Sequence, residues 1–139
     1  MRSWPPAVIR ACLWFTYMLT LHVRSIEFYR TSSGSSPVEE FLDGLADQHA
    51  QKVAWILRLV ERLDRVPEQY LKKLVGTEQI WEIRIQMGGK NYRLLGFFDG
   101  PVLLILTSGF VKKQQKTPQK EIKLAQRRRT EYLERKGKP

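Results

Sequence analysis

The sequence is poor in the residues that most often carry chemistry. Its 139 residues include one cysteine, Cys12, and two histidines, His22 and His49. A single thiol excludes an intrachain disulfide and a zinc site built on several thiolates. A reducing, cytoplasmic setting is therefore expected. Carboxylates are also scarce, with 14 Asp/Glu against 24 Lys/Arg and a formal net charge of +10. Long apolar runs are missing too: the stretch from Ala11 to Leu21 is too short to span a bilayer. There is no glycine-rich phosphate loop of the P-loop or dinucleotide type, and Gly88-Gly89 alone reads only as a turn. No catalytic triad can be assembled, and nothing implies a metal or another cofactor. His49, His22 and Cys12 have no evident partner and receive no catalytic role.

What remains is a chain of ordinary single-domain size, 42% hydrophobic, with its charge concentrated at one end. Residues 111–139 hold eleven Lys/Arg and three acids, a surplus of eight. A field of that sign favours polyanions or acidic protein partners without choosing between them.

Residues 1–22 read as an extension outside the domain, which covers 23–136. Arg2 and Arg10 before the apolar run give a weak likeness to a signal peptide, but no A-x-A cleavage site follows. A mis-set start codon, with Met18 as the true start, accounts for the same features. Within the domain, HVRSIEFYR suits a first strand. Ser36-Pro37-Val38-Glu39 reads as a capping box with proline at N1. The helix it starts weakens at Asp43-Gly44, and a second helix, from about Gln48 to Arg65, carries Val53, Ile56, Leu57, Val60 and Leu63 on one face. A loop with Lys72 and Lys73 follows.

Three strands come next. In QIWEIRIQM, Trp81, Ile83, Ile85 and Met87 share one face, and Glu82, Arg84 and Gln86 the other. Gly88-Gly89 signals a hairpin to NYRLLGFFD, whose one internal cation is Arg93. VLLILTSGF is nearly all apolar and reads as a central, doubly buried strand. Thr117 caps the last helix, with Pro118 at N1, and the helix runs to about Arg135. The order is β-α-α-β-β-β-α, an α+β fold.

Two readings fit the polar sheet face. It is either a solvated surface with a weak Glu82–Arg84 or Glu82–Arg93 ion pair, or an anion site. Lys112 and Lys113 leave the strand that should neighbour Arg93, and Lys116 and the following helix start add cations and free N–H groups. That convergence favours phosphate. Arg127-Arg128-Arg129 spans about 200° of helix and cannot face one ligand; it reads as a solvated face with a docking role.

SIEFYR, PVEEFLDGL, KKLVGTEQIWEIRI, NYRLLGFF and GFVKKQQKTPQKEIKLA, in that order between about Ile26 and Arg135, resemble the RelE/HigB-like toxins of type II toxin–antitoxin systems. The phage-related HigB-like subgroup is the nearest. WEIRI, YRLL and FVKKQQKTPQKEI are the most specific pieces. The resemblance implies a RelE/ParE-like microbial-RNase fold, with a small, mainly antiparallel sheet and helices packed on one side. It implies a ribosome-dependent mRNA endoribonuclease, needing no metal, that acts on mRNA in the A site. It also implies an inhibitory antitoxin, acidic and carrying a helix-turn-helix DNA-binding domain, and no membrane partner. Carried over by position, the catalytic candidates are Arg84, Arg93, Lys112 and Lys113, and Glu82 joins them as the carboxylate on the Arg84 face. The RNA-binding candidates are Lys72, Lys73, Lys116, Lys120 and Arg127. Several relatives place a tyrosine or histidine near the start of the last helix; here that region reads TPQKE, which leaves the proton-transfer group open. Attack by a 2′-hydroxyl needs a base, stabilisation of a phosphorane dianion and a proton for the 5′-oxygen. The arginines suit the charge, a lysine crowded by cations suits proton shuttling, and Glu82 is the carboxylate available as base. Two alternatives share the sequence features: a ParE-like toxin that poisons DNA gyrase, and a non-catalytic module that binds RNA or the ribosome.

Overall fold

The computed structural model describes residues 23–77 and 79–137. The expected extension at 1–22, with Cys12, Met18 and His22, lies outside the described residues. The elements are β1 (Ser25–Phe28), α1 (Pro37–Asp43), α2 (Asp47–Arg62), β2 (Leu71–Lys73), β3 (Trp81–Met87), β4 (Lys90–Asp99), β5 (Leu103–Lys112) and α3 (Gln119–Lys136). They form an α+β fold around one sheet of order β1-β5-β4-β3-β2. Neighbours are antiparallel except β1, which runs parallel to β5.

The expected order holds with one addition. Lys72 and Lys73 lie on strand β2, not in a loop, paired with Glu82 and Trp81 of β3. Three residues are too few for alternation to reveal a strand; here the pairing partner makes it.

Local chemistry explains most element boundaries. Ser36 is the N-cap of α1, its hydroxyl accepting from Glu39 N at 3.2 Å with Pro37 inside the first turn. The β3–β4 hairpin turns on Gly88 (φ 59) and Gly89 (φ 76). Two successive residues of positive φ match the twist of the flanking strands in a two-residue loop, and glycine adopts them without a Cβ clash. That turn locks a register in which Arg84 faces Arg93 and Gln86 faces Asn91.

One sheet face carries the main core. Val38, Leu42, Val53, Ile56, Leu57 and Val60 of α1 and α2 pack on Ile26, Ile83, Ile85, Tyr92, Leu94 and Leu104 of the strands. Each such side chain contributes roughly 1.5–3 kcal/mol when fully buried. Gly109 lets α1 sit this close: a Cβ there would lie 2.5 Å from the Phe41 ring.

The opposite face corrects the expectation that the helices pack on one side. The last helix, α3, crosses to it, burying Ala125 with Ile80 and Leu95 and setting Tyr132 against Phe97 and Ile105. A strand sequence shows which residues alternate, not which of two apolar faces a distant helix will cover. Thus α3 shields part of this face and leaves the hairpin end of β3, β4 and β5 outside its footprint.

Candidate functional site

The hairpin end of the face opposite α1 and α2 gathers cations from four neighbouring strands. Register places Lys72 beside Glu82, Arg84 beside Arg93, and Asn91 beside Lys112. Alternation puts all of these on the face that α3 partly covers. Glu82 is the hub. Its Oε1 lies 3.4 Å from Nε of Arg84 and 3.4 Å from Nε of Arg93. Its Oε2 accepts a hydrogen bond from the Thr117 hydroxyl.

Thr117 also corrects an expectation. The sequence marks it as the cap of the last helix, but Pro118 occupies the N-cap position and no side-chain cap bond forms. The threonine hydroxyl reaches instead to a carboxylate 35 residues away. An S/T-P pair before a helical pattern reads as a cap from local spacing alone, and the competing acceptor arrives only with the fold.

Burial grades the cluster. Glu82 is 2% exposed and Arg93 6%, whereas the side chain of Arg84 is 33% exposed. Arg93 donates from one terminal nitrogen to the Tyr92 carbonyl at 3.0 Å. Its Nε is buried and has no hydrogen-bond partner among the described residues, the Glu82 contact being at ion-pair range only. Burial pushes the Arg93 guanidinium below its ordinary value; Glu82 opposes that and Arg84 reinforces it. Burial also lowers Lys112, with Arg93, Arg84 and Lys72 adding to the effect and Glu82 opposing it. The fields of these five groups therefore meet at one place. Four cations (Lys72, Arg84, Arg93, Lys112) share one carboxylate (Glu82), a surplus of three.

Beside this cluster is a cleft of about 470 Å³ at the sheet edge, where β2 stops and leaves the end of β3 uncovered. Arg84 and Arg93 line it, with Lys52 of α2 on the far wall. No group of three or more His, Cys, Asp or Glu fit to hold a metal occurs among the described residues. No described helix is long and apolar enough to cross a membrane.

The remaining candidates are not drawn in. Lys73, on the alternate side of β2, is exposed opposite Trp81. Lys113 follows the last strand residue, and Lys113, Lys116, Lys120 and Arg127 are all exposed. None of these makes a contact with the cluster among the described residues. The other two arginines of the triplet are not the solvated docking face that the sequence suggests. Arg128 donates to the Thr107 carbonyl (2.8 Å) and the Ser108 hydroxyl (3.2 Å) and lies over Tyr29. Arg129 lies over the Phe97 ring. A helix that covers a sheet has to turn some of any three consecutive residues inward.

Sequence reasoning did not single out Asn91, Lys52, Gln69 or Tyr70. Asn91 was within reach of it: a two-residue turn at Gly88-Gly89 pairs position 86 with 91 as surely as 84 with 93. The other three reach the cleft through the packing of α2 and the segment before β2, for which no local signal exists.

A search of curated proteins finds no match to the chain. A family model does match, over residues 40–130, well over half of the chain and a span that includes every member of the cluster. The chain therefore belongs to the family described as Phage derived protein Gp49-like (DUF891), commonly toxins of toxin–antitoxin pairs, for which an antitoxin is the implied partner.

Proposed function

We propose that the protein is the RNase toxin of such a pair, a ribosome-dependent mRNA endoribonuclease of the RelE/HigB type. The observation that carries this reading is the surplus of cations around Glu82, set at the mouth of a cleft that Arg84 and Arg93 line. Such a constellation suits a phosphodiester whose charge rises during reaction, because fixed donors in a water-poor site stabilise the transition state more than the ground state.

The 2′-hydroxyl gives its proton to solvent water and its oxygen bonds to the neighbouring phosphorus as the P–O5′ bond breaks, giving a 2′,3′-cyclic phosphate and a 5′-hydroxyl end. Arg84, accessible, and Arg93, fixed from behind, hold the non-bridging oxygens of the phosphorane through guanidinium donors that stay charged. Lys112, with its proton loosened by burial and neighbouring cations, serves as donor to the departing 5′-oxygen. Glu82 fits a positioning role better than that of base. Its oxygens already face two guanidinium groups and the Thr117 hydroxyl, so it fixes the arginines at the spacing a phosphate requires. Lys72 supplies further field, and the exposed Lys113, Lys116, Lys120 and Arg127 supply salt-dependent attraction to the RNA backbone or ribosome. The inhibitory partner is an acidic antitoxin with a helix-turn-helix domain, matched to a chain of net charge +10.

The test is induction of the full chain in cells, with mRNA ends mapped by primer extension. Growth arrest should coincide with new 5′-hydroxyl ends inside translated frames, and should require translation. Arrest with intact transcripts would remove the RNase reading; gyrase-linked DNA breaks in the same cells would replace it with the ParE-like one.

A further inference from the structure

The cleft beside the arginine row is larger and differently lined than a phosphate alone needs. Its walls include Gln69, Tyr70, Gln86 and Asn91, and the core residues Ile56 and Ile85 border it. None of the three carboxamides makes a side-chain hydrogen bond among the described residues. A carboxamide offers an acceptor and two donors in one plane. Toward a bare anion the acceptor is wasted or repulsive. Toward the edge of a nucleobase, which alternates donors and acceptors in a plane, the same group is complementary.

Geometry adds two more constraints. The Gln86–Asn91 pair lies one step of two residues beyond the Arg84–Arg93 pair on the same face, an offset of about 7 Å along the strands. That is the order of the distance between a phosphate and the base of its own nucleotide. Tyr70 meets Trp55 edge-on, at 6.3 Å between ring centroids and 87° between planes, which fixes the orientation of the Tyr70 ring. A held aromatic ring in a cleft of nucleotide-sized volume suits stacking by an unpaired base.

We propose that this cleft seats one unpaired nucleobase of the RNA, with Gln86 and Asn91 reading its edge, Tyr70 stacking on it, and its phosphate on Arg84 and Arg93. These residues set the nucleotide preference of cleavage. The inference rests on the RNase reading for its biological substrate, but the seat is a binding site in its own right and is tested separately.

The purified full chain is titrated with each of the four nucleoside 5′-monophosphates and with inorganic phosphate, and the side-chain amide resonances of Gln86 and Asn91 are followed by NMR. At least one nucleotide should move both and bind at least tenfold more tightly than phosphate. The double variant Gln86→Leu/Asn91→Leu should lose discrimination among the four nucleotides while retaining phosphate binding. Gln86 is exposed, so the fold does not depend on it. Equal affinities for all five probes with unmoved amide resonances would overturn the seat. In induced cells the two readings separate. Selective nucleotide binding without mRNA cleavage removes the RNase function and leaves the seat. Cleavage by the double variant with unaltered site preference removes the seat and leaves the RNase.

Discussion

The sheet face under α3 has two cationic ends, and they behave in opposite ways. At the β1 end Arg128, Arg135 and Lys136 are held by oxygens of the fold, and Arg129 lies over the Phe97 ring with a buried Nε that has no hydrogen-bond partner among the described residues. Arg128 bonds the Thr107 carbonyl, Arg135 donates to the Arg30 carbonyl at 2.6 Å, and Lys136 holds Asp99 at 2.7 Å. Asp99 is lowered by its bond from Lys136, and the Tyr132 phenol beside it is pushed up to about 12 by burial and by its hydrogen bond to Asp99. At the hairpin end four cations share the single carboxylate of Glu82. The first end is richer in charge along the sequence; the second is richer in unanswered charge. Ligand binding follows the second quantity. Charges already neutralised by the fold add stability and leave little potential for a phosphate to meet.

The comparison breaks most sharply through Arg93. Arg93→Ala should lower RNA cleavage at least ~10²-fold, the scale seen when one fixed donor to a developing oxyanion is removed. It also leaves Glu82 buried with one partner fewer, so a thermal melt should show destabilisation. Arg84→Ala, at a position one third exposed, keeps the fold closer to native and should lower cleavage by the same mechanism. Full toxicity from a well-expressed Arg84→Ala protein would dissolve the distinction between the two ends.

The opposite end gives the next largest effect, on stability alone. Arg128→Ala removes charged donors from the Thr107 carbonyl and Ser108 hydroxyl and should cost about 1–3 kcal/mol in urea unfolding. Cleavage per folded molecule should stay within twofold of the parent. A large loss of cleavage at unchanged stability would move the functional boundary along α3.

Much of this contrast is legible in the sequence, and its limits have a physical cause. The Gly88-Gly89 turn, with the alternation of WEIRI and NYRLL, fixes the Arg84–Arg93 row before any coordinates exist, because a two-residue hairpin admits one register. Lys112 does not follow by the same counting: the β4–β5 register shifts by one residue between Leu95 and Gly96, and that irregularity is what sets Lys112 beside Asn91 on the arginine face. Side choice by α3 is not legible, since its narrow apolar stripe fits either face of a sheet whose alternate residues are apolar at the β1 end. Nor is the fate of Thr117, where a local cap and a distant carboxylate compete for one hydroxyl. Charge runs mislead for a related reason: Arg127-Arg128-Arg129 draws attention as a cluster, yet the helix sends two of the three inward to Tyr29 and Phe97.

The smallest expected effect is the pH dependence of Lys112. Its folded-state pKa lies below the ordinary 10.5 because burial and the cations Arg93, Arg84 and Lys72 disfavour the charged form. Below that folded value both folded and unfolded chains carry the proton, and the folded state bears the full penalty. Between the folded value and 10.5 the unfolded chain holds a proton that the folded chain has released, so stability rises with pH across that window. Lys112→Met should therefore raise the melting temperature at pH 7, and the gain should shrink as pH approaches 10.5. Cleavage moves the other way: Lys112→Met loses the proton donor and should slow the reaction at every pH, so the same side chain destabilises the fold and serves the chemistry. A Lys112→Met protein that is neither more stable at neutral pH nor slower on RNA would place Lys112 with the answered charges of the β1 end.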